Sequence, residues 1–251
     1  MLRKFNHSRS NADNIRLGSL TAFVAGMVNV SSLIIFYAFT SNVTGHYAIL
    51  ASELVKGNYF QSLIVFSWIF LFFFGGFISN MIVISFSAKN SYVAHGLSLV
   101  LEIICLLAVA IYGQYFYQET LRETEFMVSA MLFAMGLQNG LTASISNFAV
   151  KTTHLTGATT DLGILVSMFV KNRFQKDAVI IDKAKLIFSI FGSYLIGAIV
   201  ASFFFKHIQF KIFYLACIVL FVVLAYDWSK LYINKYRWRR SKFRVGEKEF
   251  V

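Results

Sequence analysis

Residues 62–85 read SLIVFSWIFLFFFGGFISNMIVIS, 24 residues without one charge. A helix that is apolar all round belongs in a large core or in lipid, and about 20 mostly apolar residues suffice to cross a bilayer. Five more stretches of the 251-residue chain have this character. The candidate spans are Gly18–Phe39, Ser62–Ala88, Tyr92–Tyr117, Phe126–Phe148, Leu186–Phe205 and Ile212–Trp228. The expected fold is all-α, a polytopic membrane protein with six transmembrane helices. Composition agrees: 57% of residues are hydrophobic and 14% charged, against roughly 25% charged in soluble domains. This excludes disorder and collagen-like fibres and argues against a soluble enzyme. The first stretch is too long for a signal-peptide core and lacks a small-residue cleavage site, so it reads as a span. Residues 1–16 read as a polar, weakly ordered tail.

The chain has no proline. Helix bends must then come from Gly, Ser or polar backbone partners. Cys105 and Cys217 lie in apolar runs, with neither disulfide-framework nor zinc spacing.

The net charge of +11 would suggest nucleic acid in a soluble protein. Laid on six spans, 19 of the 23 Lys and Arg fall on one side, leaving Lys56, Arg122, Lys206 and Lys211 on the other. The positive-inside rule places both termini in the cytoplasm. The organisation is a basic tail (1–17), a first three-helix unit (18–117), a second (118–228) and a basic C-terminal tail (229–251). The run KYRWRRSKFR in that tail reads either as a nucleic-acid or specific-lipid site or as a juxtamembrane segment held by anionic lipid. The second reading is favoured, at about 1 kcal/mol per basic residue. The expected partners are the bilayer, anionic lipids at the cytoplasmic face and an unknown small solute, without nucleic acid.

The first and fourth spans carry a matched pattern. Gly26-x-x-Asn29 matches Gly136-x-x-Asn139, and Thr44-Gly45 matches Thr156-Gly157 after a two-residue insertion. Gly75-Gly76 of the second span sits where Gly192 and Gly197 sit in the fifth. Three spans per repeat is odd, so the halves would enter the membrane from opposite sides, the inverted plan of many transporters. After each matched span comes a polar segment, then Thr-Gly, then a helix-like stretch. Such a segment could re-enter the membrane and aim helix amides at an anion, or lie on the surface as a capped amphipathic helix.

Asn29, Gln138 and Asn139 lie inside spans and read as site residues or as helix–helix glue. With Thr44, Gly45, Thr156 and Gly157 they form the candidate substrate-binding set. Glu102 falls in the third span, where a carboxylate is costly and faces the bundle interior or water. His95, two helical turns earlier, shares its face, so the pair is the candidate proton relay. The competing reading is a Glu102 bonded to a neighbouring helix. His46 and His154 flank the Thr-Gly motifs on opposite expected sides and read as caps or surface residues, and Asp161 as a first-turn acid. HExxH, P-loop, GxSxG and CxxC patterns are absent, so no catalytic residue, metal or cofactor is expected and the chain reads as a non-enzyme. The favoured function is a solute transporter or permease. The rival is a membrane assembly factor or sensor working through its basic tail. Small residues such as Gly75 and Gly192 also permit close helix approach between copies in a homo-oligomer.

On AGMVN…TGH, AMGLQN…TG and the six-span plan, residues 15–230 resemble the YoaK-like family of bacterial integral membrane proteins, a domain of unknown function. Members often have Asp at the place of Asn29, TGN for Thr44-Gly45-His46 and an acid near Glu102. The resemblance implies a bacterial inner membrane location and supplies no substrate.

Overall fold

The computed structural model describes residues 10–87, 90–171 and 173–226. Residues 1–9, with Arg3, Lys4 and Arg9, and the basic tail beyond Tyr226 lie outside that description. Among the described residues the chain is helical and has no strand. The helices are α1 (Asn11–Phe36), α2 (Val43–Val55), α3 (Tyr59–Ser87), α4 (Ser91–Tyr115), α5 (Leu121–Ile145), α6 (Leu155–Phe169) and α7 (Ala178–Ile208). A 3-10 turn, Gln209–Lys211, leads into α8 over 212–226. Five helical stretches are long and apolar enough to cross a membrane, the fifth being Ala178–Tyr226, which contains α7, the turn and α8.

Two helices start seven or eight residues earlier than hydropathy suggests. α1 begins at Asn11 rather than Gly18, so the stretch up to Arg16 is ordered helix. A capping box starts it: Ser10 Oγ accepts from the Asp13 amide, and the Asp13 carboxylate accepts from the Ser10 amide. α7 begins at Ala178 rather than Leu186, capped by Asp177. Hydropathy detects the unbroken apolar part of a helix: α1 starts in the polar stretch Asn11–Arg16, and in α7 Asp182, Lys183 and Lys185 separate the first turn from the apolar run.

α1 and α5 are buried in the centre through Leu17, Val24, Met27, Met131, Met135 and Leu141. α3 and α7 expose Phe66, Phe70, Phe73, Phe188 and Phe203. That explains why the first and fourth spans are the least apolar. They meet protein rather than lipid, and their polar groups find partners there.

α1 packs mainly on α7, and α3 on α5, and the two crossings are built alike. A Cβ at Gly26 of α1 would strike the Tyr194 carbonyl oxygen, and one at Gly197 of α7 the Phe23 carbonyl oxygen. In the second crossing, Gly136 of α5 meets the Phe72 carbonyl oxygen and Gly75 of α3 that of Phe133. Backbones this close require glycine. Gly192, expected to pair with these, faces open space; Gly197 alone fills the role on α7.

The helix ends sort into two groups. Phe36, Tyr117 and Phe210 form an aromatic cluster, with centroids 5.5–6.1 Å apart, joining the C-terminal ends of α1 and α4 to the turn after α7. At the opposite end Asn11 donates to the Asp182 carbonyl, Arg16 to the Tyr226 hydroxyl and Tyr92 to the Leu224 carbonyl. The start of α1 and the end of α8 therefore lie together.

Candidate functional site

At the end of α1, Tyr37 adopts the left-handed conformation (φ 54°), and the chain turns back along the helix it has just left. The Thr40 amide donates to Asn29 Oδ1 at 2.9 Å, and Ser32 Oγ to the Ala38 carbonyl at 2.8 Å. The chain has then descended about two turns, seven residues at 1.5 Å each, when α2 starts. Asn42 caps α2, its Oδ1 accepting from the Gly45 amide at 3.1 Å. α2 runs back antiparallel to α3 through a turn at Gly57 (φ 75°). There Glu53 accepts from Lys56 at 2.7 Å and Asn58 at 2.6 Å.

α5 ends in the same manner. Asn147 (φ 53°) and Phe148 (φ 61°) reverse the chain. Thr152 Oγ1 donates to Asn139 Oδ1 at 2.9 Å, and Asn139 Nδ2 to Thr153 Oγ1 at 2.7 Å. Gln138 Nε2 donates to Thr152 Oγ1 at 3.1 Å and to the Thr21 carbonyl of α1 at 2.8 Å. α6 then begins after His154, whose side chain makes no capping bond.

The two returns meet. Their helix starts open on one polar cavity of about 360 Å³. Asn29, Ser41 and Thr44 line it from one side, and Thr153, His154 and Thr156 from the other. Phe72 and Tyr194, at the middle of α3 and α7, complete the wall. Asn29 Nδ2 donates to the Tyr194 hydroxyl at 2.7 Å. No carboxylate lines the cavity, and both helices present their amide-rich, partially positive ends to it. His154 also lines two grooves, of about 760 and 680 Å³, that extend towards Lys151 and, in the second, towards Asn11 and Asn14.

Of the residues expected from sequence, Asn29, Thr44 and Thr156 line the cavity directly. Asn139 and Gln138 lie behind its wall and hold the returning segment. Gly45 and Gly157 sit in the first helical turns. A Cβ at Gly45 would come within 2.8 Å of the Asn42 side chain, and one at Gly157 would strike the His154 ring. Glu102 and His95 are fully buried and line none of these cavities. Both Glu102 carboxyl oxygens lack a hydrogen-bond partner among the described residues.

Three expectations need correction. His46 is neither cap nor surface: it is buried, its Nε2 pairs with the Phe39 carbonyl at 2.9 Å, and its ring meets Trp68 edge-on at 5.4 Å. His154 stands at the N-cap position and is exposed, as the surface reading expected, but it makes no capping bond and lines one cavity with Thr44 rather than lying on the opposite side. Asp161 is in the second turn of α6 and pairs with Lys183 at 3.2 Å. Sequence reasoning missed Ser41, Thr153 and Tyr194 as lining residues. Only the tertiary fold brings Tyr194 to Asn29, and no local pattern announces it. Asn42, three residues before Gly45, carried a capping signal that could have been read.

Among the described residues no group of three His, Cys, Asp or Glu could hold a metal ion. No curated protein and no solved structure matches the chain. A family model described as "Protein of unknown function (DUF1275)" matches residues 17–226, a range that includes both returning segments and both glycine crossings. The chain therefore belongs to that family of unknown function.

Proposed function

We propose that this protein is a small-solute permease, not an enzyme, with its solute site in the cavity where α2 and α6 begin. The observation that carries this reading is the convergence of the two Thr-Gly segments on one polar cavity level with the middle of α3 and α7. Two half-helices starting at mid-depth are the usual way a transporter fold builds a site in lipid. Irregular backbone is tolerated there because it lines a cavity and is held by Asn29 through the Thr40 amide and by Asn139 through the Thr152 and Thr153 hydroxyls. Two helix N-termini with no carboxylate nearby favour an anionic or carboxylate-bearing solute.

Six spans in two inverted halves complete the proposal. As one helix, the 49 residues of Ala178–Tyr226 would reach about 74 Å, against about 30 Å of hydrocarbon. The turn at Gln209–Lys211 lies beside Phe36 and Tyr117, and Tyr226 lies beside Arg16, so α7 and α8 act as two crossings. The like construction of the α1–α7 and α5–α3 crossings supports the inverted relation. The basic termini then lie in the cytoplasm of a bacterial cell, in a YoaK-like protein. Glu102 lies away from the cavity lining, so a proton-coupling role would act through movement of α4 rather than contact with solute. Homo-oligomers would form through the exposed face of α7.

Purified protein in proteoliposomes tests the reading, with flux followed for a panel of inorganic anions, organic acids and neutral solutes. Flux of one class, lost in Asn29→Leu, is the expected result. Glu102→Gln flux unchanged at every pH would remove the coupling role alone. No flux of any class, together with loss of the cellular phenotype on deleting residues 235–251, would replace the permease with an assembly factor or sensor acting through the tail.

A further inference from the structure

The groove between α3 and α5 has the shape and chemistry of a lipid. It encloses about 760 Å³, with Gly76, Gly136 and Gly140 as its floor and Phe73 and Phe77 along it. These rings belong to a stacked ladder on the outer face of α3, in which Phe74 and Phe77 lie 6.2 Å apart and Phe73 and Phe77 6.5 Å. One end of the trough is polar. Ser144 Oγ donates to Asn80 Oδ1 at 2.8 Å, and Asn147 and Lys151 also line it. Lys151 is exposed and has no ion pair among the described residues, and no carboxylate lines the groove.

Helix packing does not account for the glycine at position 76. Gly75, Gly136 and Gly140 each face backbone that a Cβ would strike. A Cβ at Gly76 would meet only the Gly136 carbonyl oxygen, at 3.7 Å, an ordinary contact. At the similar α1–α7 crossing the residue after Gly197 is Ala198. The missing side chain at Gly76 leaves the trough open. Asn80 lies seven residues, about 10 Å, inside the end of α3, a depth from which a lysine stem reaches the headgroup layer.

We propose that this groove is a binding site for one anionic phospholipid, with an acyl chain over Gly76 between Phe73 and Phe77 and the phosphate at Lys151 beside Asn80 and Ser144. The site goes beyond the permease reading and requires only that the chain be in a bilayer. Opposite charge argues for the occupant: an apolar trough ending in a cation with no ion pair among the described residues fits an amphiphile with an anionic head better than a second copy of α3.

The test is native mass spectrometry of the full chain from nanodiscs of phosphatidylglycerol and phosphatidylcholine, with Gly192→Leu, which faces open space, as the control. The wild type and the control should retain one lipid, favouring phosphatidylglycerol by about fivefold, as one basic residue near an anionic surface provides. Gly76→Leu should lose both lipids. Lys151→Gln should keep a bound lipid and lose the preference. Gly76→Ala, whose Cβ fits in the helix interior, should melt no lower than the wild type and keep its lipid, which separates occlusion from misfolding. Equal retention by Gly76→Leu, no headgroup preference, or a change in oligomeric state on Gly76→Leu in place of lipid loss would each overturn the proposal.

Discussion

The carboxamide of Asn29 accepts from the Thr40 amide at 2.9 Å and so fixes where the chain stops descending after α1. Asn139 does the same work for the segment after α5, holding Thr152 and Thr153. Asn29 satisfies a backbone amide of the returning chain, and Asn139 anchors its counterpart through two threonine hydroxyls. Asn29→Leu and Asn139→Leu should each cost about 1–3 kcal/mol, the penalty for an unsatisfied buried polar group. Thermal unfolding in detergent measures this. An unchanged midpoint in both variants would show that the returning segments are held by something else.

The glycine crossings set a second expectation. At Gly26 and Gly136 an added methyl meets a backbone carbonyl, which cannot rotate away as a side chain can. Gly26→Ala and Gly136→Ala should therefore destabilise by about 1–3 kcal/mol or more through overpacking. Gly192→Ala meets nothing within 4 Å and should stabilise slightly, by up to about 1 kcal/mol, as a helix-interior glycine is removed. The order of the three melting temperatures is the readout.

The caps of α2 and α6 differ, and the difference can be exchanged. Asn42 bonds the Gly45 amide, whereas His154 makes no such bond. His154→Asn should stabilise by about 0.5–1 kcal/mol, and Asn42→Ala should cost about 1 kcal/mol. A destabilised His154→Asn protein would mean that the imidazole is already engaged in its cavity.

At the α2–α3 turn, the Lys56 ammonium and then the Asn58 amide hold the Glu53 carboxyl below its ordinary value of 4.5. A depressed folded-state value stabilises the turn above the unfolded value and loses that contribution as pH falls through the folded one. Local protection against hydrogen exchange at residues 53–60, referred to the intrinsic rate at each pH, should therefore fall at acid pH in the wild type. It should lose that pH dependence in Glu53→Gln. A wild-type profile flat through the carboxylate range would remove the ion pair as a contributor.

The helical class was legible because lipid is a severe solvent. The charge-free run at residues 62–85 has no other good home, and α3 appears where it predicts. The interior helices were read less sharply, since α1 and α5 hide from lipid and can carry Thr21, Asn29 and Gln138. The matched Gly-x-x-Asn and Thr-Gly patterns located the returning segments. They could not say whether those segments lie on a surface or meet inside. In a chain without proline, bends were expected from Gly, Ser or polar backbone partners; the reversals use the third, with Tyr37, Asn147 and Phe148 in left-handed conformations. Tertiary hydrogen bonds to Asn29 and Asn139 override the local preference.

Sequence alone determined that this chain is a bundle of apolar helices with a paired motif, because helix periodicity and the cost of charge in hydrocarbon act locally along the chain. The tertiary structure decided that the paired motifs share one cavity, that Tyr194 closes it, and that Glu102 stands apart from it. Those relations join residues more than a hundred positions apart, such as Asn29 with Tyr194 and Gln138 with Thr21. They depend on how closely four glycines let α1, α3, α5 and α7 approach, a distance that no single segment encodes.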